Sequence, residues 1–259
     1  MTNKPARLTD VITGVRQKRV LITGASGGIG SATAKLFAAH GAKVGIHYYR
    51  DRKNSARLEH EIHSLGGTAS CFQANLIQVQ ACRRLIRQFI ERFHGIDILI
   101  NNAGAAFQAD DFRILSEKAW DATLALNAKA PFFLIQQAYP AMKSQEGGKI
   151  INISSIASRY GGSSRTMHYG ASKAALEALT TGFARHAAAD HILVNTIRAG
   201  FIDTPFHQKI ARSKIKARVQ LIPLKRPGVP LDVARLALFL ASDAGNFITG
   251  SVFDVSGGD

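Results

Sequence analysis

The chain has 259 residues, of which 46% are hydrophobic and 20% are charged, a composition typical of a folded globular protein. Its 33 basic and 18 acidic residues give a formal net charge of +15, which bears on partners and not on the fold. No apolar run reaches the roughly 18 residues that span a bilayer, and the polar N-terminus lacks the apolar segment of a secretory signal. Cys71 and Cys82 have no metal-ligand spacing. We therefore expect a cytoplasmic protein with no metal site and no membrane association.

Apolar runs of strand length alternate along the chain with longer segments of helical periodicity. The predicted strands are Arg19–Thr23, Lys43–Tyr48, Thr68–Phe72, Asp97–Asn101, Lys149–Ser154, Ile192–Ile197 and Gly250–Val255. The predicted helices are Ile29–Ala39, Asn54–Leu65, Val79–Phe93, Glu117–Met142, His168–Ala189 and Val229–Ser242. This alternation indicates βαβ units. It predicts a single α/β domain over residues 18–259, a doubly wound seven-stranded parallel sheet with helices on both faces, after an N-terminal extension of residues 1–17.

The first predicted strand runs into a glycine-rich segment, Thr23–Gly30, and a helix follows at once. Glycines at this junction allow a sharp turn, a close approach of the backbone to a pyrophosphate, and close packing of the helix. The amides of the first helical turn then face the anion. No Gly-Lys-Ser/Thr sequence follows, which disfavours a P-loop hydrolase. The segment therefore predicts a dinucleotide-binding loop.

Tyr169 and Lys173 lie four residues apart in a predicted helix and so face the same way. An ammonium beside a phenol favours the phenolate and lowers the phenol's pKa, which allows proton exchange near neutral pH. A tyrosine and a lysine at this spacing are also common as an ordinary surface pair. The functional interpretation therefore depends on other motifs.

Three further motifs supply that support. Gly24, Gly28 and Gly30 are spaced as in the TGxxxGxG of the short-chain dehydrogenase/reductase family, and Tyr169–Lys173 matches its YxxxK. Ile150–Ser155 resembles the strand that ends in the family's catalytic serine, and Asn101–Gly104 resembles its NNAG. The resemblance runs from about Lys18 to Asp259. It implies a Rossmann fold and a homotetramer or homodimer.

The resemblance also implies catalytic roles for four residues. Tyr169 is the proton donor, Lys173 holds the nicotinamide ribose, and Ser155 binds the substrate oxygen. Asn127 matches the asparagine that holds a water linking the lysine to solvent. Ser155 and Tyr169 are 14 residues apart, one more than the commonest spacing, so Ser154 and Ser158 remain alternatives for the serine.

A nicotinamide dinucleotide is the implied cofactor. The residues matched to its site are Gly24, Ser26, Gly28, Ile29, Gly30, Tyr49, Arg50, Asn75, Leu76, Asn102, Ala103, Gly104, Tyr169, Lys173, Gly200, Ile202 and Thr204. The end of the second strand carries no acidic residue at Tyr48, whereas Arg50 follows, and a guanidinium can bind the 2′-phosphate of NADP. NADP(H) is therefore favoured. NAD(H) stays open, because Asp51 lies beside Arg50 and Gly27 stands where many NADP-using relatives have a basic residue.

The segment Gly200–Pro230 is predicted to be irregular, and we interpret residues 200–228 as a substrate lid. Pro205–Arg226 holds seven basic residues and no acidic one: Lys209, Arg212, Lys214, Lys216, Arg218, Lys225 and Arg226. A basic rim attracts an acidic carrier or a phosphorylated thioester. The sequence thus favours reduction of a 3-oxoacyl thioester on acyl carrier protein or coenzyme A. A sugar, a steroid, a pteridine or a small ketone is the alternative substrate.

Two other classes of protein are disfavoured. A nucleic-acid-binding protein would use the positive charge, but the basic residues are spread along the chain without a nucleic-acid motif. A non-catalytic dinucleotide sensor has no need of the tyrosine, lysine, serine and asparagine together. We therefore expect an enzyme that does not bind nucleic acid.

Overall fold

The computed structural model describes residues 12–205 and 212–259, apart from the side chains of residues 212–214. Within these residues seven strands form one sheet in the order β3-β2-β1-β4-β5-β6-β7. The strands are β1 Arg19–Ile22, β2 Lys43–Tyr48, β3 Thr68–Gln73, β4 Ile98–Asn101, β5 Gly148–Ser155, β6 Ile192–Ala199 and β7 Val252–Val255. Every neighbouring pair is parallel. The predicted doubly wound, seven-stranded α/β fold is confirmed.

Helices cover both faces of the sheet. Their bounds are α1 Gly28–Ala39, α2 Arg52–Ser64, α3 Val79–Phe93, α4 Glu117–Leu124, α5 Ala130–Ser144, α6 Ala157–Tyr160, α7 Met167–Ala187, α8 Arg212–Leu221 and α9 Pro230–Ala241. Short 3₁₀ turns lie at Phe112–Ile114, Ala188–Asp190 and Asp243–Gly245. None of the described helices combines the length and the apolar character needed to cross a bilayer.

Strand side chains alternate between two cores, one on each face. Val20 and Ile22 join the core under α1, α2 and α9, whereas Leu21 between them joins the core under α3, α5 and α7. Such apolar strands are expected when both faces are covered. The described end of the N-terminal extension packs against the domain, because Val15 is buried in the first core and the Thr13 hydroxyl donates to Asp243 at 2.9 Å.

Two segments differ from the predicted elements. The long helix expected over Glu117–Met142 is α4 and α5 joined by a π-helical turn at Ala125–Lys129, and such turns are frequent at functional sites. The predicted lid contains a helix, α8, where irregular structure was expected. Its polar, basic sequence has little apolar periodicity to indicate a helix. Backbone hydrogen bonds between Phe201 and Gly228 (2.9 Å) and between Asp203 and Gly228 (2.8 Å) join the two ends of the lid.

The carboxyl ends of β1, β4, β5 and β6 meet where the strand order reverses, between β1 and β4. Doubly wound sheets bind ligands in the crevice at this point. A buried polar chain locks the strands and α7 together below it. Asn101 donates to Asn152 at 2.8 Å, Asn152 donates to Thr180 at 2.8 Å, and Thr180 lies 2.7 Å from the Thr196 hydroxyl. The fold therefore holds α7 rigidly over the crevice.

Candidate active site

Three glycines form the loop between β1 and α1. Gly24 has a φ of +64°, and a Cβ there would lie 2.9 Å from the Ala103 Cα. A Cβ on Gly30 would lie 2.5 Å from the Gly24 carbonyl oxygen and 2.6 Å from the Asn102 side chain. Gly28 has a φ of +54° and begins α1. Any side chain would fill this cradle, so its shape fits the close approach of a pyrophosphate to backbone amides.

The segment after β4 fastens the glycine loop from the other side. The Asn102 amide donates to the Thr23 carbonyl at 2.8 Å and to the Gly24 carbonyl at 3.1 Å. The backbone amides of Asn102 and Ala103 both donate to the Thr23 hydroxyl, at 2.9 and 3.0 Å. The side chain of Asn102, matched by sequence to the cofactor site, therefore holds the loop in place.

His47 also holds this loop, and it was not singled out from the sequence. Its Nδ1 accepts the Gly24 amide proton at 3.0 Å, and its Nε2 lies 3.1 Å from the Ala74 carbonyl oxygen, to which it donates. Burial lowers the pKa of His47 to about 4, so the ring is neutral at physiological pH. The only signal in the sequence was one histidine inside an otherwise apolar strand.

The end of β2 bears on the choice of dinucleotide. The Arg50 guanidinium lies 4.9 Å from the centre of the Tyr49 ring, and both side chains are exposed. Asp51 accepts from the Asn54 backbone and side-chain nitrogens at 3.2 and 2.7 Å and so caps α2. Its carboxylate is thus satisfied by its own helix. Arg50 is therefore exposed and available to an anion, as are Arg52 and Lys53 at the start of α2.

The neighbouring strand end carries Asn75 and Leu76, which the sequence matches to the cofactor site. The Asn75 side chain accepts the Ile77 amide proton at 3.3 Å, whereas the Leu76 side chain is buried in the core beneath α3. Leu76 can therefore present only its backbone to a ligand. A cavity of about 280 Å³ opens between Tyr49, Asn75 and α3, with Arg84 on its wall.

The base of the lid lies against the glycine loop. A Cβ on Gly28 would lie 3.3 Å from the Thr204 methyl group, and a Cβ on Gly200 would lie 2.6 Å from the Ser256 Cα. Ile202 is buried and forms a β-bridge with Gly228. Thr204 therefore lies near the glycine loop, whereas Gly200 packs on the residue after β7 and Ile202 pairs with the other end of the lid.

Ser155 and Tyr169 meet at the carboxyl end of β5. The Ser155 side chain forms a hydrogen bond with the Tyr169 hydroxyl. Ser154 instead points to the opposite side of the strand and donates to Glu177 at 2.6 Å, as does Ser158 at 2.5 Å. Of the three serines left open by the sequence, the structure joins Ser155 to the tyrosine.

Lys173 lies one turn after Tyr169 on α7. Its ammonium is 5.7 Å from the centre of the Tyr169 ring and donates to the Ile153 carbonyl at 2.7 Å. A Cβ on Gly104 would lie 3.0 Å from the ammonium and 3.0 Å from the Asn127 side-chain oxygen. The backbone at Gly104 therefore passes closely over the lysine, where a side chain would have little room.

Asn127 occupies the π-helical turn and is fully buried. Its side chain accepts from the Ala105 amide at 3.0 Å and donates to the Ala105 carbonyl at 2.9 Å and the Ser172 hydroxyl at 2.9 Å. It thus clamps the segment after Gly104 to α7. The structure thus places Asn127 beside Lys173 and Gly104.

The chain resembles known proteins over most of its length. A family model described as "Enoyl-(Acyl carrier protein) reductase" matches residues 24–259. The 3-oxoacyl-[acyl-carrier-protein] reductase FabG of Thermotoga maritima is 36% identical over 241 residues, 93% of this chain and 97% of that protein. A 3-oxoacyl-[acyl-carrier-protein] reductase of Synechocystis is 36% identical over 248 residues, 95% and 98% of the two chains. The chain belongs to the short-chain dehydrogenase/reductase family.

Solved structures agree with this membership. A blue fluorescent protein from a metagenomic library, in complex with NADPH, has a TM-score of 0.89 and 32% identity and covers 94% of this chain and 98% of its own. A short chain dehydrogenase of Burkholderia cenocepacia, in complex with NADP, has a TM-score of 0.88, with the same identity and coverage. The predictions of family, of Rossmann fold and of a dehydrogenase/reductase enzyme are confirmed.

The electrostatics of this short-chain dehydrogenase/reductase site differ from the sequence expectation in one respect. Burial raises the pKa of Tyr169 to about 12, although the hydrogen bond from Ser155 acts in the opposite direction. Burial also lowers the pKa of Lys173 to about 8, opposed by the nearby charge of Glu177. The predicted lowering of the tyrosine pKa is therefore not found. The desolvation of the phenol outweighs an ammonium that lies over the ring face and not beside the hydroxyl.

The described part of this dehydrogenase/reductase contains no group of three or more His, Cys, Asp or Glu side chains placed to hold a metal ion. Both cysteines are unpaired thiols, and burial raises the pKa of Cys71 to about 12 and of Cys82 to about 11. Neither thiol is activated as a nucleophile, because the thiolate is the reactive form.

Proposed function

We propose that this protein is an NADP(H)-dependent reductase that converts the 3-oxo group of an acyl thioester to an alcohol. The observation that carries the proposal is the cluster of Ser155, Tyr169 and Lys173 at the end of β5, next to the glycine loop of Gly24 and Gly30. The cluster supplies a hydrogen-bond donor, a proton donor and a cation within one crevice. Carbonyl reduction needs these three groups beside a hydride source.

Each residue has a distinct part in this reaction. Ser155 donates a hydrogen bond to the substrate carbonyl oxygen and stabilises the negative charge that develops there. Tyr169 donates its proton to the same oxygen, and its raised pKa keeps it protonated for the reductive direction. Lys173 holds the nicotinamide ribose hydroxyls, and Asn127 supports the resupply of protons. When bound, NADPH supplies the hydride.

Arg50 supports the choice of NADP(H), because it is the first exposed cation after β2, at the strand end that faces the 2′-phosphate in dinucleotide folds. The NADPH and NADP complexes of the two solved relatives point the same way. We expect Arg50→Ala to raise the KM for NADPH at least about tenfold while leaving the KM for NADH unchanged, since only NADPH carries the phosphate. Lys53→Ala, a change to an exposed cation of the adjoining helix, is the control. Equal effects of the two substitutions on NADPH would remove Arg50 from the phosphate site.

The lid supports an acyl thioester as the substrate. Leu221 and Leu224 are 72% and 62% exposed, which is apolar surface available to an acyl chain. Lys216 and Lys225 are exposed beside them, whereas Arg218 pairs with Asp259 and Arg226 lies 3.5 Å from Asp232. Lys209 and the side chains of Arg212 and Lys214 lie outside the described residues. The described lid therefore offers an apolar surface with a weaker positive charge than the sequence indicated.

A second apolar feature borders the start of α7. A cavity of about 470 Å³ lies between the segment after β4 and the residues that precede Tyr169, and it is lined in part by Phe112, Trp120 and Met167. Such a lining suits an alkyl chain better than a sugar. The 3-oxoacyl reductases among the curated relatives act on substrates of this class, as their names state.

A substrate panel tests this proposal. NADPH oxidation is measured with acetoacetyl-acyl carrier protein, acetoacetyl-coenzyme A, a 2-enoyl thioester, glucose, a pteridine and a steroid ketone. We expect turnover of the two acetoacetyl thioesters only. The enoyl thioester is included because the matching family model is described as an enoyl reductase. Turnover of the enoyl thioester alone, or only of substrates that are not thioesters, would overturn the assignment.

We also propose a catalytic domain of residues 18–259 with a lid at residues 200–228, acting in the cytoplasm as a homotetramer or homodimer. The resemblance to the family supports self-association, because the family's helices that correspond to α4–α5 and α7 pack against a second subunit. Light scattering tests the assembly. A mass of two or four times 27.9 kDa is expected, and a monomer at working concentration would contradict it.

A further inference from the structure

A largely enclosed carboxylate lies directly behind the serine and lysine of the site. Glu177 is one turn beyond Lys173 on α7, and its side chain is 14% exposed. Its Oε1 accepts from the Ser154 hydroxyl at 2.6 Å and the Ser158 hydroxyl at 2.5 Å. Arg198 donates to the same carboxylate through Nε at 3.1 Å and Nη2 at 2.7 Å. The carboxylate is therefore held by four donors from three elements.

Arg198 connects this carboxylate to the edge of the sheet. It lies on β6, its side chain is 16% exposed, and its Nη1 donates to Asp254 of β7 at 2.7 Å. Asp254 also pairs with Arg159 of α6 at 2.9 Å. The outer part of the network is thus more exposed, whereas the Glu177–Arg198 pair is enclosed. Removing two charges from water is costly, so an enclosed ion pair needs close contact and additional hydrogen bonds to both side chains.

The two serines that Glu177 binds are the ones on either side of the site serine. Ser154 precedes Ser155 in β5, and its hydroxyl also lies 3.3 Å from the Lys173 carbonyl oxygen. The Ser158 hydroxyl lies 2.8 Å from the Ser155 carbonyl oxygen. One carboxylate therefore fixes the backbone on both sides of Ser155 and the helical turn that carries Lys173.

We propose that Glu177, held by Arg198, is a positioning residue that sets the placement of Ser155 against Tyr169 and keeps Lys173 charged. It contacts neither substrate nor cofactor and acts through those three groups. This inference rests on the proposed function, since it assigns a role within that reaction. A purely structural tie between α7 and the sheet would not require the carboxylate to bind both neighbours of Ser155.

The charges around the lysine agree with this role. Glu177 and the Tyr169 phenol face Lys173 along α7, Arg198 faces Glu177 from β6, and Asp254 faces Arg198 from β7. Burial acts to raise the pKa of Glu177, but the hydrogen bonds from Arg198, Ser154 and Ser158 hold it below its usual value, so the residue is anionic. That charge opposes the burial that lowers the pKa of Lys173 to about 8. Neutralising Glu177 should therefore make the lysine lose its proton at lower pH.

The test compares Glu177→Gln with Asp254→Asn, which removes the outer charge and leaves Glu177 and Arg198 in place. For Glu177→Gln we expect kcat to fall about 10- to 100-fold, with the Kd for NADPH unchanged, because a small misplacement of reacting groups has effects of that size. The basic limb of its pH–rate profile should move to lower pH by about one unit. Asp254→Asn should stay within about twofold of the unmodified enzyme and keep its pH profile. Equal losses in the two variants, or an unchanged profile in Glu177→Gln, would overturn the proposal.

Two further measurements test the inference if Glu177→Gln does not fold or if no substrate of the panel is reduced. If Glu177→Gln does not fold, the Ser154→Ala/Ser158→Ala double variant retains the charge and removes the donors. It should lower kcat without moving the pH profile, and unchanged kcat would count against positioning. Nuclear magnetic resonance of 13C-labelled lysine, assigned with Lys173→Arg, follows the lysine without any substrate. A lower titration midpoint in Glu177→Gln supports the charge effect even if every substrate of the panel fails, and an unchanged midpoint contradicts it.

Discussion

Among the single side chains of the site, Ser155 has the most sharply defined surroundings. Its hydroxyl binds Tyr169, whereas the hydroxyls of its neighbours Ser154 and Ser158 face Glu177 on the other side of β5. The alternation of side chains along β5 separates Ser154 from Ser155 in this way, whereas Ser158 lies on α6. The sequence alone did not choose among the three serines. One additional residue in the loop and one additional residue in the strand give the same number of residues between the strand and Tyr169.

Ser155→Ala tests this assignment. Removing the hydroxyl leaves the carbonyl oxygen without one hydrogen-bond donor in the transition state, so we expect kcat to fall about 10²- to 10³-fold with little change in the Kd for NADPH. Steady-state kinetics with the best thioester of the panel measure the effect. Ser163→Ala, in the exposed loop before α7, serves as the control. A Ser155→Ala enzyme as active as that control would exclude Ser155 from the reaction.

At the scale of elements, the glycine loop could be predicted from the sequence, but the contacts that hold it could not. The loop itself and its glycines were evident from their place between the first strand and the first helix. The binding of that loop by Asn102 and His47 was not, because it depends on contacts 78 and 23 residues apart in the chain. The π-helical turn at Asn127 and helix α8 were missed for a related reason. Neither has a sequence period of its own.

The neutral state of His47 predicts a pH dependence of stability. Its pKa falls from 6.5 to about 4 on burial, so between these values the unfolded chain binds a proton that the folded chain does not. Protonation of His47 in the unfolded chain therefore does not reduce the free energy of unfolding above about pH 6.5. As the pH falls from 6.5 towards 4, it reduces that free energy by up to about 3 kcal/mol. Urea unfolding at pH 7 and pH 4.5 measures it. His47→Asn, which keeps an acceptor for Gly24, should lose less stability on acidification than the unmodified protein, and an equal loss in both would contradict this account.

For the whole molecule, the strands, their parallel arrangement and the layers followed from the alternation of apolar runs with amphipathic segments. The effect of the +15 net charge could not be predicted in the same way. It depends on which basic side chains are exposed and which are paired, and the fold decides both. Ion pairs on the lid show this most clearly. Arg218 and Arg226 have carboxylate partners from distant or following segments, which the count of basic residues could not reveal.

If the remaining positive charge attracts an acidic carrier, salt should weaken that attraction by screening. Between about 50 and 500 mM salt we expect the KM for acetoacetyl-acyl carrier protein to rise at least about tenfold, with kcat unchanged, since steering acts on encounter. A neutral acetoacetyl thioester of N-acetylcysteamine is the matched control and should show a KM within about twofold. The same salt response for both substrates would remove the carrier from the proposal.

The central claim is that Tyr169 protonates a carbonyl oxygen while Ser155 and Lys173 hold the reacting groups. Its most direct test is the turnover of Tyr169→Phe with NADPH and acetoacetyl thioester, together with the binding of NADPH to the same variant. The account predicts a kcat at least about 10²-fold below that of the unmodified enzyme, because the general acid is lost, and a Kd for NADPH within about twofold, because the fold and the glycine loop are intact. A Tyr169→Phe enzyme that reduces the thioester at nearly the unmodified rate would contradict it.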